Sequence, residues 1–395
     1  MTGGQTDIAI VGGGLAGGLT ALAIHRVNPR LSVALFEAGD SFGGNHRWSW
    51  FEGDLDERGT ELLGAFKKAE WSGGNEVRFP SYTRQLASNY RSLDSRDFDE
   101  GMRRALPQES IRPGSRVAGL DAAGITLDTG ERIAARAVID CRDAVPSEHL
   151  TGGWQVFLGQ HLRTDAPHGL ARPVIMDASV EQPDAYRFVY LLPLGHDEIF
   201  VEDTYYSDSP ALDRECLRER ISTYARDKGW ACEVVHEETG VLPVITGGDF
   251  AAYRAELSTP GVALSGARGG FVHPLTSYTL PIAVDNALAI AEAASGDLSQ
   301  LAGAVEERAQ QHWSQTAYYR LLGKMLFDAA LPRERYRVFE RFYRLPEPLI
   351  TRFYAARSSP MDKLRILTGR PPVAIGRAVK ALLGKGTPLV QGTEP

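Results

Sequence analysis

The sequence predicts an α/β fold: a Rossmann-like domain built from two separated stretches of chain, an inserted antiparallel β-sheet, and a helical C-terminal region. Three observations predict it. A glycine-spaced strand–turn–helix lies near the start of the 395 residues, and a second strand, glycine-rich loop and helix recur near 261–294. Between them runs a strand-rich stretch, and after them come aromatic, arginine-rich segments of helical character.

The first element reads in three pieces in "TDIAIVGGGLAGGLTALAIHRVNPRLSVALFEAGD". Ile8 to Val11 form a short apolar strand, Leu15 to Ile24 repeat apolar residues at helical spacing, and "LSVALFEAG" is a second strand. Between strand and helix lies Gly12-x-Gly14-x-x-Gly17. The first glycine permits the tight turn, the second lets backbone approach a pyrophosphate, and the third lets the helix pack on the sheet. The helix N-terminus then offers unpaired N–H groups and its positive dipole end. Glu37, at the end of the second strand, is an acid placed to bond ribose hydroxyls. Strand, helix, second strand and terminal acid agree, and they predict a dinucleotide site.

The adjoining segment selects FAD. "GDSFGGNHRWSW" continues with Gly43, Gly44, Asn45 and His46. It resembles the second half of the extended fingerprint in FAD-dependent oxidoreductases of the glutathione-reductase type. Farther along, "RVAGLDAAGITLDTGERI" reads as a hairpin, and "RIAARAVIDCRDA" as a strand ending in Asp140. In "GVALSGARGGFVHPLTSYTLPIAVDNALAIAEAA" a strand is expected to end at Gly266, with a long helix beginning near Leu280. Such a segment brings a second helix N-terminus to the cofactor, through Gly266, Gly270, His273, Pro274, Thr276 and Tyr278. The expected division is a discontinuous FAD domain over 1–150 and 255–300, with 75–110 partly joining the substrate domain. A β-sheet substrate domain covers 151–254, and a helical region 301–395. No second Gly-x-Gly-x-x-Gly appears with its own strand and acid, which argues against a dedicated NAD(P)H domain.

Composition narrows the class. The chain is 43% hydrophobic and 24% charged, with a formal net charge of −7. Nucleic-acid binding, which calls for a basic domain, is not expected. Cys141, Cys216 and Cys232 are too few and scattered for a disulfide framework or a Cys-rich metal site. With no secretory signal or apolar span, the expectation is a cytoplasmic protein. From Pro332 onward there are 13 Lys/Arg against 5 Asp/Glu, a net of +8 on an otherwise acidic chain. The segment "RPPVAIGRAVKALLGK" sets Val373, Ile375, Val379, Leu382 and Leu383 largely on one side, with Arg377, Lys380 and Lys385 available to the other. A basic amphipathic helix of this kind is suited to the surface of the inner membrane.

The middle alternates strand-like runs with one helical segment near 209–228. Residues 194–197 form a turn that makes "IFVEDTYY" the return arm of a hairpin. Alternation puts Glu202 and Asp203 on opposite faces of that strand.

Several stretches coincide, in order, with one family. "GGGLAGGLTALAI", "FEAGDSFGGNHRWSW", "YRFVYLLPLGHDEIFVEDTYYSD", "GFVHPLTSYTLPIAV" and "RFYRLPEPLITRFYAARSSPMDKLRILTGRPP" resemble bacterial lycopene β-cyclases nearly end to end. "FVEDT" is similar to the "FLEET" signature of the plant relatives. The loop that reads "FHPTTGYS" in the family is "VHPLTSYT" here, with Leu275 and Ser277 in place of Thr and Gly. The resemblance implies a redox-neutral isomerisation of lycopene and related linear carotenoids, by way of γ-carotene to β-carotene. It implies reduced FAD as the active cofactor and NAD(P)H as reductant. Protonating an alkene takes a carboxylic acid held protonated by a dry site. Glu202 is therefore expected as principal acid/base, facing a substrate tunnel, with Asp203 turned away in support. His273 carries two readings, a direct chemical role or a histidine bonded to backbone. An FAD monooxygenase or prenyl reductase, and a non-catalytic isoprenoid carrier, remain alternatives at this level.

Overall fold

The computed structural model describes residues 5–183, 185–369 and 373–390. The N-terminal part runs β1 (Thr6–Val11), α1 (Leu15–Val27), β2 (Val33–Phe36), β3 (Arg47–Phe51), α2 (Glu57–Leu62), β4 (Ala69–Trp71), β5 (Asn75–Phe79), β6 (Tyr82–Leu86), β7 (Tyr90–Asp94), α3 (Ser95–Ala105), β8 (Ile111–Arg112), β9 (Val117–Asp121), β10 (Gly124–Leu127) and β11 (Arg132–Asp140). The middle holds β12 (Ser147–Thr164), β13 (Val174–Asp177), β14 (Tyr186–Pro193), β15 (Glu198–Ser207), α4 (Arg214–Asp227), β16 (Cys232–Gly248), α5 (Phe250–Leu257), β17 (Val262–Leu264) and α6 (Leu280–Ala294). The remainder is α7 (Leu301–Gln315), α8 (Ala317–Lys324), α9 (Tyr336–Phe342), α10 (Glu347–Tyr354), α11 (Pro360–Leu367), α12 (Ile375–Leu383) and β18 (Pro388–Leu389).

Strands β8, β2, β1, β11 and β17 form a parallel sheet in that order. Ile8, Ala9 and Ile10 are fully buried, as a parallel strand covered on both faces requires. In the register, Val11 lies opposite Phe36 on one side and Asp140 on the other, and Asp140 lies opposite Leu264. Four strand ends therefore meet along one edge, the place where open α/β sheets bind ligands. Helices α1 and α6 pack side by side there. Strand β17 stops at Leu264, two residues short of the expected Gly266, because Gly266 already turns with φ 64°.

The second sheet runs β16–β12–β15–β14–β13–β5–β6, antiparallel except for the β13–β5 pair. Its spine, β12, starts at Ser147, ahead of the expected boundary at 151. One face packs Leu158, Val189 and Val201 against Leu217 and Ile221 of α4. The other face carries Tyr186, Phe188, Phe200 and Tyr206 beneath Tyr319, Phe339, Tyr343 and Phe353 of the C-terminal helices. A small sheet, β3–β7–β4, stands beside that aromatic face, tied to it where the Tyr190 hydroxyl donates to Ser49 Oγ (2.7 Å) and lies 3.1 Å from Tyr90 Oη.

The tail departs from the sequence expectation in two ways. It is not helical throughout, since β18 pairs with β12 and buries Leu389. Nor is the apolar side of α12 a single environment. Val373 and Ala381 are buried against Ala329 and Ala330, while Val379, Leu382 and Leu383 are 50%, 46% and 83% exposed. The Ile375 side chain lies outside the described residues. Among the described residues no helix is long and apolar enough to cross a membrane.

Candidate active site

The first glycine loop divides its three tasks cleanly. Gly12 sits at φ 99°, and a Cβ there would lie 2.7 Å from the Cys141 carbonyl oxygen. At Gly17 a Cβ would fall 1.9 Å from the Gly12 oxygen, so α1 approaches the turn only because this residue has no side chain. At Gly14 a Cβ would meet nothing within 4 Å, and no side chain caps α1 from there. Open space thus faces an uncapped helix N-terminus. The Glu37 carboxylate accepts from Gly13 N and Gly39 N, both at 2.7 Å, which fixes it beside that space. Each of its oxygens keeps a further lone pair for a hydroxyl. The Gly43 N–H donates to the Gly13 carbonyl (2.9 Å), and Gly44 follows at the surface. Asn45 instead bonds β16, through the Glu237 carbonyl (3.1 Å) and His236 Nε2 (2.6 Å). His46 is exposed, its ring 6.3 Å from Trp48.

The second loop converges on the same helix end. A Cβ on Gly266 would lie 3.0 Å from Ala16 Cβ, whereas Gly270 packs farther off against Phe250. The Pro274 carbonyl accepts from Ile245 N (2.8 Å) and Ser277 Oγ donates to the Pro243 carbonyl (2.9 Å), so the loop is pinned to β16. His273 is fully buried. Its Nε2 is 3.1 Å from the Phe353 carbonyl, and its Nδ1 accepts from Thr276 N at 3.3 Å. Burial pushes its pKa down to about 3. Neutral, with both nitrogens held by backbone, it fits the structural reading and has no free nitrogen for substrate. Tyr278 donates to Asp54 Oδ2 (2.8 Å) and accepts from Phe51 N (3.1 Å). Among the described residues, buried Thr276 Oγ1 and Arg47 Nε have no hydrogen-bond partner. These orphaned atoms, with the space before Gly14, fit a bound flavin dinucleotide.

Strand alternation splits the acid pair. Asp203 points to the α4 side, fully buried, where Arg187 grips both its oxygens (Nη2 to Oδ2 2.6 Å, Nε to Oδ1 3.0 Å). Burial raises its pKa, and the guanidinium opposes that rise. Glu202 points the other way, on the rung shared with Tyr190 of β14 and Gly159 of β12. Thr204 Oγ1 donates to its Oε1 at 2.5 Å. Burial raises the Glu202 carboxyl to about 7, Thr204 and Arg47 pulling the other way. Glu202, Tyr190, Tyr278 and Tyr354 are half-buried, each keeping some accessible surface. Arg47, from β3, reaches the same region. It bonds Asp94 (3.1 Å) and Ser92 (3.3 Å) and stands 5.3 Å over the Phe200 ring.

The sequence reading missed Arg47, Asp54 and Glu238. Asp54 is fully buried, and burial lifts it to about 6 against the bonds from Tyr278 and Phe51 N. Glu238 is 5% exposed on β16, and its rung partner on β12 is also Gly159. A signal existed. "HEETG" repeats the pattern of two adjacent acids on a strand, one of which must face inward.

The comparisons agree with this architecture. Solved structures of the same fold include a geranylgeranyl bacteriochlorophyll reductase-like protein from Thermoplasma acidophilum, at TM-score 0.61 and 14% identity, covering 96% of this chain and 98% of that one. A p-nitrophenol 4-monooxygenase from Pseudomonas putida aligns at TM-score 0.60 and 16% identity, covering 93% and 99%. At such identities they establish a flavoprotein-type fold and nothing finer. Sequence relatives are much nearer. Lycopene beta-cyclases of Pseudescherichia vulneris and Pantoea ananas are 43% and 39% identical over 378 residues each, 95% of this chain and 97% and 98% of theirs. One from Paracoccus sp. (strain N81106 / MBIC 01143) is 43% identical over 379 residues, 95% of this chain and 97% of its own. The family profile described as "Lycopene cyclase protein" matches residues 7–380, and the chain belongs to that family.

Proposed function

We propose that this chain is a lycopene β-cyclase that turns the linear end groups of lycopene into β-rings without net redox change, with Glu202 as its principal acid/base. The observation that carries the reading is the placement of Glu202: a half-buried carboxyl raised to about 7, on the aromatic face of the sheet. A carboxyl so poised holds a proton near neutral pH and can give it to an alkene carbon in a dry site. Protonation at C2 leaves a tertiary cation at C1. The C5=C6 bond closes on it, and loss of the C6 proton completes the β-ring. Tyr190 shares the rung of Glu202 with Tyr90 edge-on beside it, ring centroids 6.4 Å apart, and aromatic faces stabilise cations by about 1–2 kcal/mol when water is excluded. Asp203, locked to Arg187, fixes β15 against β14 and so aims Glu202.

The parallel sheet is the cofactor domain in this reading, and the β16-to-β6 sheet with the C-terminal helices is the substrate domain. FAD would be held by the Gly12–Gly17 loop, Glu37, Gly43 and the Gly266–Tyr278 segment. Bound in its reduced form it supplies negative charge against the cation, with NAD(P)H as the source of electrons. Asn45 and His46 serve less directly, Asn45 by tying this domain to β16. Substrate is drawn from the inner membrane, which the protein meets peripherally through α11 and α12. Met361, Leu364 and Leu367 of α11 are 73%, 55% and 48% exposed, and the outer face of α12 is apolar as well, among Arg365, Arg377, Lys380 and Lys385.

The test is anaerobic incubation with lycopene-loaded liposomes, FAD and a reductant. We expect β-carotene to form with no stoichiometric oxidation of the reductant. Glu202→Gln should keep its flavin spectrum and lose cyclisation by at least about a hundredfold. Unchanged lycopene with flavin bound and reduced rejects the reading, and reductant consumed in step with product points to a monooxygenase or reductase.

A further inference from the structure

A second carboxyl lies on the same face of the sheet as Glu202. Gly159 of β12 is paired with Glu202 on β15 and with Glu238 on β16, so the two glutamates occupy one rung, one strand to either side of the spine. Adjacent strands lie about 4.8 Å apart, which puts their backbones about 10 Å apart. The Phe200 ring covers Gly159 between them, since a Cβ there would lie 2.3 Å from the ring. Their chain neighbours are each committed to the opposite face. Asp203 pairs with Arg187, and Glu237 pairs with Arg218 of α4 at 2.7 Å. Glu238 alone of the second acid pair is thus turned inward, 5% exposed and without a salt bridge among the described residues.

We propose that Glu238 is a second catalytic carboxyl, and that Glu202 and Glu238 share one proton and divide its delivery and removal between them. The inference rests on the cyclase reading above and splits the roles given there to Glu202. The Thr204 hydroxyl bond favours the ionised form of Glu202. Burial, reinforced by the Glu202 charge, raises Glu238 to about 8 against the Arg47 guanidinium and backbone N–H, and we place the resting proton there. The Glu238 O–H bond breaks as C2–H forms. The C5=C6 electrons make the C1–C6 bond and leave the cation at C5. The C6–H electrons then restore C5=C6, and the proton passes to the Glu202 carboxylate. Its return from Glu202 to Glu238 resets the pair, and no other reactant is needed. The groups facing the pair are Arg47 from β3, Asp94 from β7, Tyr190 from β14, and His161 and His236 one rung along on β12 and β16.

A shared proton has a signature that one carboxyl cannot give. Both carboxyls are raised well above the ordinary glutamate range and activity requires the singly protonated pair, so kcat/KM against pH is a bell with both limbs above that range. A lone acid gives a profile flat below 7. The experiment measures this profile for the FAD-loaded, reduced wild type, Glu238→Gln and Glu238→Asp. We expect the bell in the wild type, its retention at lower activity in Glu238→Asp, and a loss of about a hundredfold or more in Glu238→Gln with flavin still bound. Glu238→Gln within threefold of wild type, or a wild-type profile flat to pH 5, overturns the proposal and leaves the cyclase reading intact. Should Glu238→Gln lose its flavin, the wild-type and Glu238→Asp profiles decide alone. A wild type that leaves lycopene unchanged defeats the cyclase reading itself.

Discussion

Ser277 holds a backbone conformation that its side chain opposes. Its φ of 54° lies in the left-handed region, where an L side chain costs about 1 kcal/mol or more. The related loop motif has glycine here, so the turn has kept its shape while the residue changed. The offset is visible in the hydroxyl, whose bond to the Pro243 carbonyl anchors the loop to β16 and contributes about 1 kcal/mol. Ser277→Ala keeps the strain and loses the bond, so it should lower stability by about 1 kcal/mol, whereas Ser277→Gly loses both and should be near neutral. Thermal unfolding of the two variants checks this, and an alanine variant as stable as wild type would sink it. The replacement itself was legible in the sequence, but the compensating bond was not, because it depends on a strand 34 positions away. Glu202 and Glu238 illustrate the same limit. Alternation predicts that each acid pair has one inward member, yet only the register reveals that both meet at Gly159.

Elements were legible wherever a period or a glycine spacing carried them. The first strand, α1, the turn at 194–197 and the helix at Leu280 appear where pattern placed them, since each is fixed by local backbone chemistry. Pairing between distant segments was not legible. Nothing in "TPLV" announces that residues 388–389 join β12, and nothing in the α12 pattern reveals which face turns inward. Amphipathicity suggested the branched residues, but of those described only Val373 turns inward, and the small Ala378 and Ala381 let the helix lie close on Ala329 and Ala330. Val379, Leu382 and Leu383 are left outward beside Lys380. If this surface meets the bilayer, Leu382→Asp with Leu383→Asp should lower co-sedimentation with anionic liposomes several-fold. Flavin binding and melting temperature should hold, since neither side chain contributes to the core. Unaltered sedimentation would return α12 to ordinary surface structure.

The whole molecule carries the cost of its buried carboxyls as a pH dependence of stability. Glu202 and Glu238 have folded-state values of about 7 and about 8, against about 4.3 for an unfolded glutamate. Between those limits the folded chain binds more protons than the unfolded one, so stability falls as pH rises. The contribution is fully present below about 4.3 and is lost as pH climbs through the folded values. Histidines act in the opposite sense at lower pH. Burial depresses His273 to about 3 and also lowers His312, so these groups favour unfolding as pH drops below about 6.5. Asp54, raised to about 6, adds to the carboxyl side over the same lower range. Desolvation lowers His46 and His161 as well, and unfolded histidines go on losing protons to about pH 7.5, so the difference between wild type and a variant lacking both glutamates, followed from about 6.5 to 8, isolates the two carboxyls. Across that range the melting temperature of the wild type should fall relative to the double variant Glu202→Gln, Glu238→Gln, which should exceed wild type at pH 8. Melting curves across that window with FAD saturating decide the matter. A difference between wild type and the double variant that stays constant from pH 6.5 to 8 would mean that the two carboxyls ionise freely, and both the dry site and the shared proton would have to be given up.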